Sequence, residues 1–451
     1  MRIANETYRL RPDDGPTWLE RIRSPLSVAL GERTHPLRMS IVAASGHEVV
    51  VEATVVRYDA DAAHADSLNL VEILNPRRKQ DSAGTFGVVQ IIPTGIRCEF
   101  GGFAGDACPV TNLLAAGADV LITHPNAVNA SELNEMANNV RYVEGRSLDD
   151  FLLGHVGLSP VRANRVGTFV DKSGIRHLDD VVNTLNAARA AAGIDCELYA
   201  VLKDEPGIEI AWTASGCAAG TIREPETILQ SVEQLLAEGV QAVGGVSVIQ
   251  GVAADEFSSH LRGETPNPSG GIEAIITHLI SKVFRVPTAH APLPYYQDVK
   301  EHSTSNPRAS AEFISTPHYF SVLKGLARAP RLVPLAGLDH VPPPLLSVND
   351  VGAIVMPATS LGGIPALAAE LNNIPLIAVE ENDTILNVTN ATMQMRNVIP
   401  VRSYLEAAGV VMALRSGIAL SSVQRPIMAA RPVDSTPNGI ATERSAPLLQ
   451  R

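Results

Sequence analysis

Residues 87–126 read GVVQIIPTGIRCEFGGFAGDACPVTNLLAAGADVLITHPN, and this stretch decides the fold class. Its two ends, GVVQII (87–92) and DVLITH (119–124), are short apolar runs rich in β-branched residues, the pattern of strands buried on both faces. Between them lie a glycine-rich loop and a helical stretch over 108–116 that Gly117 ends. Strand, loop, helix and strand in that order make a βαβ unit, whose two strands run parallel. The alternation continues through RVGTFV (165–170), ELYAVL (197–202), VQAVGGVSVI (240–249), VGAIVMPA (351–358) and IPLIAV (374–379). Helices are predicted over 177–192, ended by Gly193, and after Pro225, Gly271 and Gly363. The expected fold is therefore α/β: over residues 86–424, one mostly parallel, doubly wound (Rossmann-like) sheet covered by helices.

The first 85 residues have a different character. A helix over Pro16 to Leu30 precedes two alternating runs, Leu37 to Ala44 and Glu48 to Tyr58, joined by a turn at Ser45-Gly46. They predict a small N-terminal α+β domain over 1–85. An apolar run over Leu68 to Leu74 is followed by NPRRKQDSAGTFG (75–87), which has linker composition, and its basic run Arg77-Arg78-Lys79 reads as solvated. From about Arg425 the chain loses periodicity and reads as a disordered tail, 425–451.

A formal net charge of -12 disfavours a nucleic-acid partner, because phosphate binding draws on clustered Lys and Arg. Cys98, Cys108, Cys196 and Cys217 lie too far apart for zinc-ligand spacing, so no metal ligand is assigned, although the carboxylates leave a divalent ion open. The polar N-terminus and the lack of a bilayer-length apolar run predict a cytoplasmic protein with no membrane partner. A small-molecule substrate is the expected partner, with a homo-oligomer open.

Ligands of open α/β sheets bind at the carboxyl ends of strands, so the residues after each apolar run are the candidates. Thr94, Gly101, Gly102 and Asp106 follow the first strand, and His124 and Asn126 the second. Ser215 and Thr221 follow a strand ending near Trp212; His290 ends a short run; Thr359 and Gly363, then Glu381 and Asn382, follow the last two. His124 has the near-neutral pKa of a general acid or base, with Asp106 or Glu381 as partner. Each has a structural alternative: His124 as a loop cap, Asn129 as the cap of a helix beginning Ala130-Ser131, Asp106 as a helix cap, and the glycines as tight turns. Glu273 and His278 sit at i and i+5 on one predicted helix and point in different directions; Glu273, nearer the helix start, could face the site, and His278 reads as packed or surface. The glycine loops lack the spacing of a dinucleotide fingerprint or a Walker motif, so neither NAD nor ATP is supported. Cys108 and Cys217, each in a glycine-rich loop, fit the paired thiols of a cofactor-independent racemase, or simply core packing.

Taken together, PTGI (93–96), GGFAGDACPV (101–110), LITHPNAVN (121–129), YVEGRSLDDFLLGH (142–155), ASGCAAGTI (214–222), VPTAHAP (286–292) and the segment from MPATSLGGIP (356–365) to VEENDT (379–384) resemble family 3326 of the domains of unknown function. The resemblance covers about residues 87–420. It implies a shared site more than a reaction, with Asp106, His124, Asn126, Glu144, Ser215, Thr221, His290 and Asn382 among its positions but neither thiol, which favours acid/base chemistry over the racemase. The expected function is an isomerase, lyase or hydrolase acting on a small polar or anionic metabolite. The alternatives are the two-cysteine racemase and a non-catalytic binding or assembly protein.

Overall fold

The structure is a computed structural model that describes residues 1–59, 62, 64–68, 76, 79, 84–129, 136–251, 254–293, 305–313, 318–338, 341 and 344–430. Most of the apolar run 68–74 and of the linker 75–87, the helix expected from Ala130, and tail residues 431–451 lie outside them. Lys79, expected to be solvated, is anchored: its N–H donates to Asn372 Oδ1 at 2.8 Å.

The expected strands form a parallel six-stranded sheet of β4 (Gly87–Gln90), β5 (Val120–Thr123), β6 (Val140–Tyr142), β15 (Val351–Pro357), β16 (Leu376–Val379) and β17 (Val398–Val401). Its order is β17-β16-β15-β4-β5-β6. Renumbered in chain order from the β6 edge it reads 3-2-1-4-5-6, so the winding direction reverses between β4 and β15, where doubly wound sheets open a crevice. The fold class is thus α/β with a doubly wound parallel sheet.

The single sheet expected over 87–420 is, however, divided. β8 (Val166–Val170), β9 (Leu198–Val201), β12 (Ala242–Ser247) and β13 (Thr288–Pro292) form a second parallel sheet, β13-β12-β8-β9, inserted in sequence between β6 and β15. β7 (Val156–Ser159) and β14 (Arg331–Pro334) pair antiparallel. β10 (Ile208–Trp212) and β11 (Ala218–Ile222) form an antiparallel hairpin. ASGCAAGTI is therefore the turn and return strand of a hairpin, not a strand-to-helix loop.

At the N-terminus, β2 (Thr34–Ala44) and β3 (Val49–Arg57) pair antiparallel about the Ser45-Gly46 turn, beside the helix Trp18–Leu30. A further strand, β1 (Arg2–Leu10), pairs with β3; its polar residues hide the alternation, although Ile3 and Leu10 are buried. This sheet is packed against the rest of the chain. Asn5 Nδ2 donates to Gly220 O at 3.0 Å, and Gly362 O accepts from Ile41 N at 2.9 Å. A Cβ on Gly362 would lie 1.9 Å from Ile41 O, so this glycine answers a close backbone approach. The helix Gly270–Phe284, buried along most of its length, packs against β11, β13 and β2.

Candidate functional site

Beside the point where the winding of the six-stranded sheet reverses lies a cavity of about 190 Å³. β4 leads into Ile91, Pro93 and Thr94; β5 leads into His124 and Asn126; β6 leads into Glu144, and β15 into Ser360 and Gly363. The second sheet supplies His290, and the helix Gly270–Phe284 supplies Glu273, Ala274, Thr277 and His278. At about 100° per residue, positions i, i+1, i+4 and i+5 span a sector of roughly 140°, so the cavity wraps one flank of this helix. Glu273 and His278 therefore face the same space despite their i, i+5 spacing, which corrects the packed or surface reading of His278. The remaining wall comes from the N-terminal sheet: Arg38, Met39 and Ser40 on β2, Glu52 to Thr54 on β3. A second cavity of about 100 Å³ adjoins the first, shares Thr94, Asn126, Glu273 and His290 with it, and is lined by Gly101, Gly102 and Gly105.

Two carboxylate–imidazole pairs face the first cavity. Glu144 hydrogen-bonds His278 Nδ1 and also accepts from Ser147 N at 2.9 Å and Thr277 Oγ1 at 3.3 Å. Burial alone would raise the Glu144 carboxyl; His278 and the N–H groups of Arg146 and Ser147 outweigh it and hold the pKa below the ordinary value. His278 is therefore held through Nδ1, and Nε2 has no protein partner among the described residues. Gly145 makes room for this, because a Cβ there would lie 2.9 Å from His278 Cε1. In the second pair Glu273 Oε2 lies 3.2 Å from His290 Nδ1, while His290 Nε2 lies 2.7 Å from Ser247 Oγ. Order and distances mimic a serine triad, but Ser247 is fully buried and lines neither cavity, so it orients His290 and is not a nucleophile.

Asp149 also lines the first cavity. Burial, with Asp150 and Glu144 as like-charged neighbours, pushes its pKa up to about 8 against the opposing pull of Arg146. At neutral pH this carboxyl is mostly protonated, in the same wall as an oriented imidazole. The motif YVEGRSLDD supplies both: Glu144 caps the helix Gly145–Leu152 through Ser147 N, and Asp149 lies on that helix.

His124 lines the cavity but is a poor base. Ile92 N–H donates to its Nε2 at 2.9 Å, which occupies that lone pair, and burial lowers its pKa to about 4. It holds the N-cap position of the helix Pro125–Val128 without a side-chain cap bond. Asn126 Nδ2 donates to Thr94 Oγ1 at 2.5 Å, between the two cavities.

Asp106, Ser215, Thr221, Thr359, Glu381 and Asn382 line neither cavity, so the expected five-residue convergence of Asp106, His124, Ser215, Thr221 and Asn382 does not occur. Asp106 Oδ1 accepts from Gly101 N at 2.9 Å and braces the glycine loop. Ser215, in the β10–β11 turn, supports the wall from behind through Glu52, and Thr221 lies on β11 opposite Glu209. Thr359 pairs with Thr384 at 2.8 Å. Glu381 is exposed and accepts from Tyr404 N at 2.7 Å, capping the helix Tyr404–Arg415; Asn382 bridges Phe100 N and Tyr404 Oη. Glu381 and Asn382 miss the cavity because β16 lies one strand beyond the crevice, and Ser215 and Thr221 because a hairpin strand turns back from its loop. Asn129 accepts from Tyr142 Oη at 2.6 Å.

All four cysteines are free and buried. Cys217 lines the first cavity with its thiol pKa raised by burial, whereas Cys108 lines neither, so the two thiols do not face each other across a ligand space. Among the described residues no group of three or more His, Cys, Asp or Glu is arranged to hold a metal ion.

Comparison with known proteins places the chain. A family described as protein of unknown function (DUF3326) matches residues 87–424. The chain belongs to this family. It is also 38% identical over 250 residues to an uncharacterised lipoprotein of Synechococcus sp., covering 54% of this chain and 68% of that protein. No solved structure matches it. The lipoprotein name of this relative overturns the cytoplasmic address expected from the sequence. Hydropathy could not have decided the matter, because a lipid anchor requires no membrane-length apolar span. Among the described residues no helix is long and apolar enough to cross a membrane. Arg38 and Glu52 lie outside the matched stretch, yet both line the cavity.

Proposed function

We propose that this protein is an enzyme that moves protons on a small polar metabolite, with His278 as general base and Asp149 as general acid. The observation that carries the reading is that an imidazole oriented through Nδ1, with Nε2 unpartnered among the described residues, shares a cavity with a carboxyl whose pKa is about 8. His278 Nε2 takes a proton from the substrate, and Glu144 stabilises the imidazolium that forms. Asp149, protonated at neutral pH, delivers a proton to the other position of the substrate. His278 leaves the cycle protonated and Asp149 ionised; exchange with water restores both. Isomerisation and elimination need only these two transfers, and hydrolysis adds a water. The site has no need of a glycine fingerprint, in keeping with the absence of NAD and ATP motifs from the sequence.

The test is incubation of the purified protein, in heavy water, with a small-metabolite extract of its own cells. One compound is expected to change mass or acquire deuterium with the wild type, and not with His278→Gln or Asp149→Asn. Identical mass spectra for wild type and both variants would refute the proposal.

A further inference from the structure

Among the described residues Arg38 is the one Arg or Lys lining the first cavity, whose other ionisable lining residues are Glu52, Glu144, Asp149 and Glu273 beside three histidines. Those acids are hydrogen-bonded to neutral groups, paired with histidines or protonated. Glu52 accepts Ser215 N at 2.7 Å and Ser215 Oγ at 2.5 Å; Glu144 and Glu273 engage histidines, and Asp149 holds its proton. Arg38 by contrast makes no ion pair among the described residues, and its guanidinium has one long hydrogen bond, Nη2 to Ala218 O at 3.4 Å. On β2, where Leu37 and Met39 are buried, Arg38 is half-buried and its side chain lines the cavity. The surface of this cavity is largely apolar, with Ile91, Ile96, Leu148, Met356 and Leu386 in its lining. A cation in such surroundings is costly without a paired counter-charge: burial presses its pKa down, and Glu52 opposes this through space without an ion pair to Arg38 among the described residues.

The glycine loops do not compete for that counter-charge. Gly101 N–H is taken by Asp106 and Gly105 N–H by Gly101 O, and Pro365 removes a donor from the start of the helix Ile364–Leu371. We infer that Arg38 binds the carboxylate of the substrate, which is a small carboxylic acid with an apolar body. The flat fork of the guanidinium matches the two carboxylate oxygens, and the apolar wall accepts the carbon chain. This rests on the reading of the cavity as a substrate site, but it is tested by binding alone and stands or falls separately from proton transfer.

The probes are butanoate, its uncharged isostere butanamide, and inorganic phosphate, with binding read by ligand-observed NMR saturation transfer and, for phosphate, by displacement of butanoate. Butanoate is expected to bind the wild type and butanamide not to bind. A single charged contact of this kind is worth about tenfold to a hundredfold in affinity, so Arg38→Met should lose butanoate binding by that factor. Arg38→Lys, which keeps the charge but not the fork, should lose at least about tenfold, and serves alone if Arg38→Met fails to fold. No butanoate binding at tens of millimolar, equal binding of butanoate and butanamide, unchanged binding in folded Arg38→Met or Arg38→Lys, or phosphate displacing butanoate at lower concentration would each overturn the assignment. If the butanoate results hold while the heavy-water experiment shows no turnover, the anchor stands and the catalytic reading falls.

Discussion

Replacing Asp149 by Asn should stabilise the protein while abolishing its turnover. In an unfolded chain an aspartate titrates near 3.9; in the folded protein this one titrates at about 8. Between those values the folded state holds a proton that the unfolded state has released, so stability falls as pH rises. The contribution is fully present below about pH 4 and is lost as pH climbs through about 8. At pH 7 roughly three units of difference would correspond to about 4 kcal/mol as an upper bound, at about 1.4 kcal/mol per unit. Asp149 is half-buried, so solvent screening reduces the expected cost to about 1–2 kcal/mol. Asn has the shape of the neutral carboxyl and no proton to release, so Asp149→Asn escapes this cost. Urea unfolding followed by circular dichroism at pH 5 and pH 8 measures it: the variant should exceed the wild type in stability by more at pH 8 than at pH 5. A difference independent of pH, or a wild type that is the more stable at pH 8, would refute the assignment of a raised pKa and with it the role of Asp149 as acid.

Two further outcomes follow from the same geometry. Gly102→Ala would place a Cβ 2.4 Å from Cys98 O and 2.5 Å from Cys98 N, both backbone atoms that cannot swing away, so thermal unfolding should show a loss of about 2–3 kcal/mol or more. Unchanged melting would mean that the glycine loop yields freely. Glu144→Gln removes the charge that steadies the His278 imidazolium and should lower kcat by about a hundredfold with KM little changed, measured on the metabolite found in heavy water. A rise in KM alone would make Glu144 a binding residue.

Much of the scaffold was legible in the chain. The runs at 87–92, 119–124, 165–170, 351–358 and 374–379 are strands because β-branched, continuously apolar segments suit a sheet covered on both faces. Gly193 ends its helix in the left-handed conformation, as predicted, with φ 65°. Motif content identified the family, and the loops after β4, β5 and β15, sought as the place of a ligand site, contribute to the wall of a cavity. His124, Thr94, Asn126, His290 and Gly363 are there. The residues assigned the chemistry are different ones. Asp149 carried no signal beyond its place in YVEGRSLDD, and His278 was discounted on helical angle. Arg38 and Glu52 belong to a hairpin that local pattern describes as a separate small domain.

What the sequence by itself determined is which faces are buried, where chains turn and which loops leave a parallel strand at its carboxyl end, because each depends on neighbours a few residues away. Only the tertiary structure decided that 87–420 divides into two parallel sheets, that β2 and β3 close the crevice, and that one flank of the helix Gly270–Phe284 forms a cavity wall. These depend on which surface covers which, and hydrophobic burial is non-directional: it demands that an apolar face be covered without specifying the partner. The raised carboxyl of Asp149 and the neutral ring of His124 have the same origin, since a pKa is set by the burial and charges that distant segments bring to a group.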